Sequence, residues 1–247
     1  GSNSGINGSS DTIVSWNWLA NGAGSSNTDG SITSTVSANT TSGFSIVTYT
    51  SGGGSGTVGH GLNSVPKVMF YKPLSTSGGW DVYHYNLGIS LRLNLHNDAA
   101  ESSGYFQTLP TNSVFTEPNL YSGQSVIMYC FAEKKGFSKF GKYFGNSNAD
   151  GTFVYTGFKP SMVIVKDRDV NQWQMFDSKR GRNGLMGFLY PDSAETESSS
   201  VPMDILSNGF KFRDASVARN GSGEQYLYMA FAEEPLVSSN GVPNTAR

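Results

Sequence analysis

Two pairs of carboxylates have a spacing that hydrolysis could use: Asp167 with Asp169 in KDRDV, and Glu195 with Glu197 in AETES. Glycoside hydrolysis needs two carboxyl groups flanking the scissile bond. Strand residues two apart point the same way, so either pair could face one cleft. However, Asp167 and Asp169 straddle Arg168 just after an apolar run, which reads as a solvated loop, and the glutamates stand in a serine-rich stretch. The E-x-D-x-x-E pattern of concanavalin-like glucanases is absent. His60, His84 and His96 are far apart, with neither H-x-H nor H-E-x-x-H, so no metal centre is expected. His60 lies between glycines in VGHGL and is expected to cap a turn. The single cysteine, Cys130 in VIMYCFAE, reads as a buried structural thiol and excludes an intrachain disulfide. NTDG (27–30) and NADG (148–151) carry one carboxylate each, whereas calcium takes about 6–8 oxygens, so both read as Asp-Gly turns. The glycine run at 52–56 reads as flexible turn material, and no cofactor is expected.

What remains is binding. Sugars are held by aromatic surfaces and a few fixed polar groups. Residues 79–88, GWDVYHYNLG, have that mixture, and 172–181, QWQMFDSKRG, repeat them with altered ends. Trp80 answers Trp173, Val82 answers Met175 and Tyr83 answers Phe176, each pair 93 residues apart. The shared apolar positions read as core. The altered ones enter a loop, where recognition usually resides. They give the candidate ligand-binding residues: His84, Tyr85 and Asn86 in the first copy, and Asp177, Lys179 and Arg180 in the second. Tyr85 is expected to stack on a sugar ring and the others to hydrogen-bond it. Arg180 and Arg182 make the second edge locally basic, which favours acidic glycans.

The elements positioning these residues are strands. The chain has 247 residues, with 13% aromatic, 15% charged and a net charge of −2. An average soluble domain is roughly 25% charged. The polar remainder of Ser, Thr, Asn and Gly suits short strands and tight turns. Without a basic run, nucleic-acid binding is not expected. No stretch approaches the ~18 apolar residues of a membrane helix, so no insertion is expected. The opening Gly-Ser looks like a cloning remnant, and the abrupt start suggests an excised fragment.

Alternating apolar residues predict two series of strands. GLNSVPKVMFYK (61–72) resembles TGFKPSMVIVK (156–166), and FAE recurs at 131–133 and 231–233. Each unit spans about 95 residues, the size of one β-sandwich. The final strands are apolar almost throughout, which implies burial on both faces. TIVSWNW (12–18) reads as the last strand of a preceding unit, expected to pair with the first sandwich. The expected fold is therefore all-β: two tandem antiparallel β-sandwiches, lectin-like or jelly-roll in type, plus that N-terminal strand. The expected divisions are 1–40 for the strand and linker, 41–135 and 136–235 for the sandwiches, and 236–247 for a tail.

Several stretches, among them SANTTSGFSIVTYT, W-x-VYH-x-x-LG, YCFAE with SKFG, and YMAFAE, resemble a family of repeat domains in tail-associated and other virion proteins of marine bacteriophages. The resemblance covers about residues 12–235. It implies a non-enzymatic structural module at the particle surface, in a tail or fibre, with host-surface glycan, other virion proteins and further copies of the chain as partners. The alternatives are a glycan-degrading tail domain, glycosidase or lyase, and a purely architectural spacer or decoration domain.

Overall fold

The computed structural model describes residues 15–54, 56–180 and 187–233. The first copy contains β1 (Ser25–Asn27), β2 (Ser34–Asn39), β3 (Phe44–Thr50), β4 (Thr57–Gly59), β5 (Val68–Pro73), β6 (Asp81–His84), β7 (Leu91–Asn94), β8 (Ser102–Ser103), β9 (Val114–Thr116) and β10 (Ser125–Phe131). The second contains β11 (Ser138–Phe144), β12 (Phe153–Tyr155), β13 (Met162–Asp167), β14 (Gln174–Asp177), β15 (Met203–Leu206), β16 (Gly209–Phe212), a single helical turn α1 (Val217–Asn220) and β17 (Gln225–Phe231). Two large sheets result, ordered β1-β2-β3-β10-β5-β6-β7-β8 and β11-β17-β13-β14, and two small ones, β4-β9 and β12-β16-β15.

The repeat is visible in the registers. Phe44 pairs with Phe131 in the first copy, and Ser138 with Phe231 in the second. Val68 opposes His84 as Met162 opposes Asp177. Thus β3-β10-β5-β6 and β11-β17-β13-β14 are the same four strands used twice.

Alternation decides which face of each strand goes where. In β5, Val68 and Phe70 face a central core while Met69 and Tyr71 face an outer one. In β13, Met162 and Ile164 face the same central core, and Val163 and Val165 a second outer one. The central core joins Phe44, Phe70 and Phe131 of the first copy to Phe140, Trp173 and Phe231 of the second. Four sheet layers are therefore stacked, with the two large sheets inside and back to back. This is why the final strands are apolar on both faces.

Residues 15–18 of the expected N-terminal strand form no strand, and residues 12–14 lie outside the described segments. The segment is held by side chains instead of a ladder. Ser37 Oγ accepts from Asn21 N (2.9 Å) and donates to Gly22 O (2.8 Å), and Asn39 Nδ2 donates to Leu19 O (3.1 Å). What it buries are indoles. Trp18 packs 5.7 Å from Phe131 and 5.5 Å from Phe231, bridging both copies at the rim of the central core.

The glycine run is likewise no loose turn. Gly52, Gly54 and Gly56 direct their N–H groups at the buried carboxylate of Glu117, in the connection between β9 and β10.

Candidate functional site

The back-to-back sheets relocate the residues expected to bind a ligand. His84 and Asp177 occupy equivalent strand ends, but they are only 3% and 4% exposed. A free-standing sandwich would open those ends to solvent; here they lie in or beside the seam between copies, so the expectation that they reach solvent is corrected. Tyr85 is half-buried and donates its hydroxyl to Phe140 O of the second copy (3.3 Å). Asn86 is half-buried, and its N–H donates to His84 Nδ1 (3.3 Å). Asp177 accepts the N–H groups of Lys179 and Arg180 at 3.0 Å each and pairs with the Arg180 guanidinium. Arg180 also lies 2.9 Å from Glu197, so its charge is spent locally. Lys179 is exposed and paired with Glu233.

Burial pushes the His84 imidazole down to about 3. Its Nε2 faces the Tyr228 backbone without meeting hydrogen-bond geometry. The unfolded chain takes up this proton near pH 6.5, the folded chain only near pH 3. Between those values the unfolded state binds more protons, so stability is full above the window and falls as pH falls through it. The slope is about 1.4 kcal/mol per pH unit for one group. His60, lowered by burial, adds to it with the same sign. Asp81, Asp167 and Asp192 are raised by burial and act oppositely, nearer the carboxylate range. Urea titrations at about pH 7 and 5.5 should show the loss, and His84→Gln should flatten it. An unchanged slope in His84→Gln would place the acid sensitivity elsewhere.

The seam thus takes up the expected site, and an open polar cleft lies on the opposite face of the same strands. In LRLNLH (91–96), Leu91, Leu93 and Leu95 pack on the central core. Arg92, Asn94 and His96 point the other way, into a cleft of about 200 Å³ that Asp81, Tyr105 and Tyr121 also line. Arg92 organises it: Nη1 lies 2.7 Å from Asp81 Oδ1, Nη2 donates to Tyr105 OH (3.0 Å), and the guanidinium sits 4.6 Å from the Tyr105 ring centre. Asn94 Oδ1 accepts a further Arg92 bond, while the buried Nε of Arg92 has no hydrogen-bond partner. His96 Nδ1 accepts from Trp80 N (3.0 Å), and its ring packs so closely on Gly79 that a methyl group there would fall 1.9 Å from it. Tyr121 adopts φ 57°, a left-handed conformation costly for a bulky residue. Such strain is often kept where it positions a functional side chain. Burial raises the Asp81 carboxyl above its usual range despite Arg92 and His96.

Among the described residues of the second copy the equivalent place is occupied. Gln174 stands in the place of Asp81 and Phe188 in that of Arg92, as the bridges Met175–Leu189 and Phe188–Ser198 place them. The volume is filled by Arg219 from α1, which donates to Gln174 Oε1 (3.2 Å) and Asp214 Oδ2 (2.9 Å) and lies 5.0 Å from the Phe188 ring centre.

The sequence did not single out Arg92, Asn94, His96, Tyr105 or Tyr121 as a site. Its one signal was three polar residues alternating with leucines, which equally describes a solvated strand face.

The other candidates have structural roles. His60 caps its turn, accepting Leu62 N at Nδ1 (3.2 Å). Asn27 and Asn148 accept Asp29 N and Asp150 N as ordinary Asx turns. Burial pushes the Cys130 thiol far up, so it stays protonated. Asp167 is not solvated as expected: it is buried and paired with the fully buried Lys166 at 2.7 Å, whereas Asp169 is exposed. Among the described residues no cluster of three or more His, Cys, Asp or Glu has the arrangement of a metal site.

No curated protein and no solved structure matches the chain. Both copies, the cleft in one and its closure in the other, fall within a single family match: residues 1–235 fit the domain of unknown function DUF7483, and the chain belongs to that family.

Proposed function

We propose that the chain is a non-enzymatic structural module of a bacteriophage virion, in a tail or fibre, and that its first copy holds a host-surface glycan in the Arg92 cleft. The virion assignment rests on the resemblance of the repeat motifs. The observation carrying the binding reading is the cleft itself, where two tyrosines flank a fixed Asp81–Arg92–Asn94 set. Sugars present C–H faces to rings and hydroxyls to such groups. The ligand class is neutral: Asp81 and Arg92 cancel, and of the two arginines behind the expectation of acidic glycans Arg180 is consumed by Asp177 and Glu197, while Arg182 lies outside the described residues. A hydrolase is disfavoured because the cleft offers one carboxylate, already engaged by arginine, where two are needed.

The test separates binding from folding. Tyr121→Gly removes a ring from the cleft and relieves about 1–3 kcal/mol of backbone strain, offsetting its lost packing on Tyr71. On a glycan array, the variant and Asn94→Ala should each lose at least one wild-type signal with melting temperatures nearly unchanged. Signals equal to wild type in both would rule out the cleft. The shared core supports a second reading, a rigid architectural spacer, and an array blank for the wild-type chain would favour it.

A further inference from the structure

The outer layer of the second copy carries an aromatic surface for which the first copy has no counterpart. Alternation in β12 sends Val154 inward, while Phe153 and Tyr155 stand outward, 43% and 64% exposed. Across the small sheet Phe153 pairs with Lys211, and Lys211 with Asp204; Tyr155 pairs with Gly209, and Gly209 with Leu206. The outer face therefore has one row reading Phe-Lys-Asp and one reading Tyr-Gly-Leu. The glycine is obligatory. A methyl group at Gly209 would fall 2.1 Å from Val154 O and 3.0 Å from the Phe153 ring. The Phe153 ring therefore lies against the buried Gly209, with Leu206 half-buried at the end of the Tyr155 row. Around it, Lys211 pairs with Asp150 at 2.6 Å and Arg213 with Asp204 at 2.5 Å, so the flanking charges cancel.

In the first copy the same place is small and covered. Thr57 and Gly59 on β4 replace Phe153 and Tyr155. Ile32 N donates to Thr57 O (3.0 Å), and the Asn27 side chain sits on Gly59, where a methyl group would lie 1.7 Å from it. The chain's own N-terminal arm thus occupies in one copy what the other leaves aromatic and exposed.

We propose that this face, centred on Tyr155 and Phe153, is a stacking platform for the pyranose rings of a neutral polysaccharide. Three features select that occupant. Two partly exposed rings offer about 200–300 Å² at most, far short of the ~800 Å² per partner of a stable protein interface. The balanced charges exclude a phosphate backbone, which needs uncompensated lysine and arginine. Lys211 and Asp204 place a donor and an acceptor beside the rings, suited to ring hydroxyls. The platform shares a ligand class with the Arg92 cleft but no residue, so either can fail without the other.

The experiment is affinity electrophoresis of the whole chain in native gels containing hydroxyethylcellulose or dextran. At least one polymer should retard the wild-type chain. Tyr155→Ala and Phe153→Ala should each weaken retardation about fivefold, with unchanged melting temperature, since the rings are exposed. The double variant should lose most of it, while the exposed control Glu195→Ala, which belongs to neither the platform nor the cleft, should retain it in full. Three results would overturn the proposal: no retardation of wild type by either polymer, retardation of the double variant equal to wild type, or sedimentation showing that Tyr155→Ala dissolves a dimer while retardation persists. The last would make the face a protein contact.

Discussion

Phe131→Ala is expected to destabilise the whole molecule by about 3–5 kcal/mol, the usual cost of truncating a buried phenylalanine. Phe131 closes β10, paired with β3 on one side and β5 on the other. Its ring centre lies 5.0 Å from Phe44 and 5.3 Å from Phe70 in its own sheet, and 6.4 Å from Phe140 and 6.1 Å from Phe231 in the opposite one. Removing it leaves a hole between the copies that neither sheet can close alone. Polar links span the same seam: Arg168 and Glu101 pair through two 2.5 Å bonds, and Trp173 Nε1 donates to Asn94 O (2.7 Å). The two copies should therefore melt together. Calorimetry should show one transition in the wild type and one in Phe131→Ala, displaced by about 10 °C for a chain of this size. A second transition in the variant, remaining at the wild-type temperature, would mean that the second copy folds independently of the core it shares.

That coupling marks where sequence reading stops. The two strand series and their equivalence were legible because Trp80, Val82 and Tyr83 recur at a constant offset and the final strands are apolar on both faces. A doubly apolar strand says only that both faces are covered, not by what. With the second copy as the cover, His84 and Asp177 leave solvent, although their polarity and position after a tryptophan strand both suggest a loop end. The cleft was hidden for the converse reason. Arg92, Asn94 and His96 alternate with leucines as any solvated strand face would, and only Tyr105 and Tyr121, brought in by distant connections, turn that face into a concavity. The left-handed backbone at Tyr121 has no signature in the residue itself, since a tyrosine and not glycine or asparagine occupies the position.

The buried glutamate has the least legible role of all and carries the second large effect. Glu117→Ala should cost about 3–5 kcal/mol, because the carboxylate is the shared acceptor for the amides of Gly52, Gly54 and Gly56. Glu117 is fully buried. Its Oε2 accepts from Gly52 N (2.8 Å) and Ser51 Oγ (3.1 Å), and its Oε1 from Gly54 N (3.0 Å) and, more distantly, Gly56 N (3.4 Å). Only glycine permits the path that aims these amides inward. Gly54 has φ 106°, and a methyl group there would fall 2.6 Å from the Asn119 side chain. Truncating Glu117 strands the buried Gly56 N–H, at about 1–3 kcal/mol if left unmet, and removes the acceptor of the more accessible Gly52 and Gly54 amides, with some of the loss recovered as the loop relaxes toward water. Glu117→Gln should fall between wild type and alanine, because its amide group turns two hydrogens toward donors. Gly54→Ala should reproduce much of the loss with the glutamate intact. Urea titration of the three variants beside the exposed control Glu195→Ala provides the measurement, since surface truncations usually change stability by less than about 0.5 kcal/mol. If Glu117→Ala behaves like that control, the amide cradle is a consequence of the fold and not one of its supports, and the glycine run is after all a flexible turn.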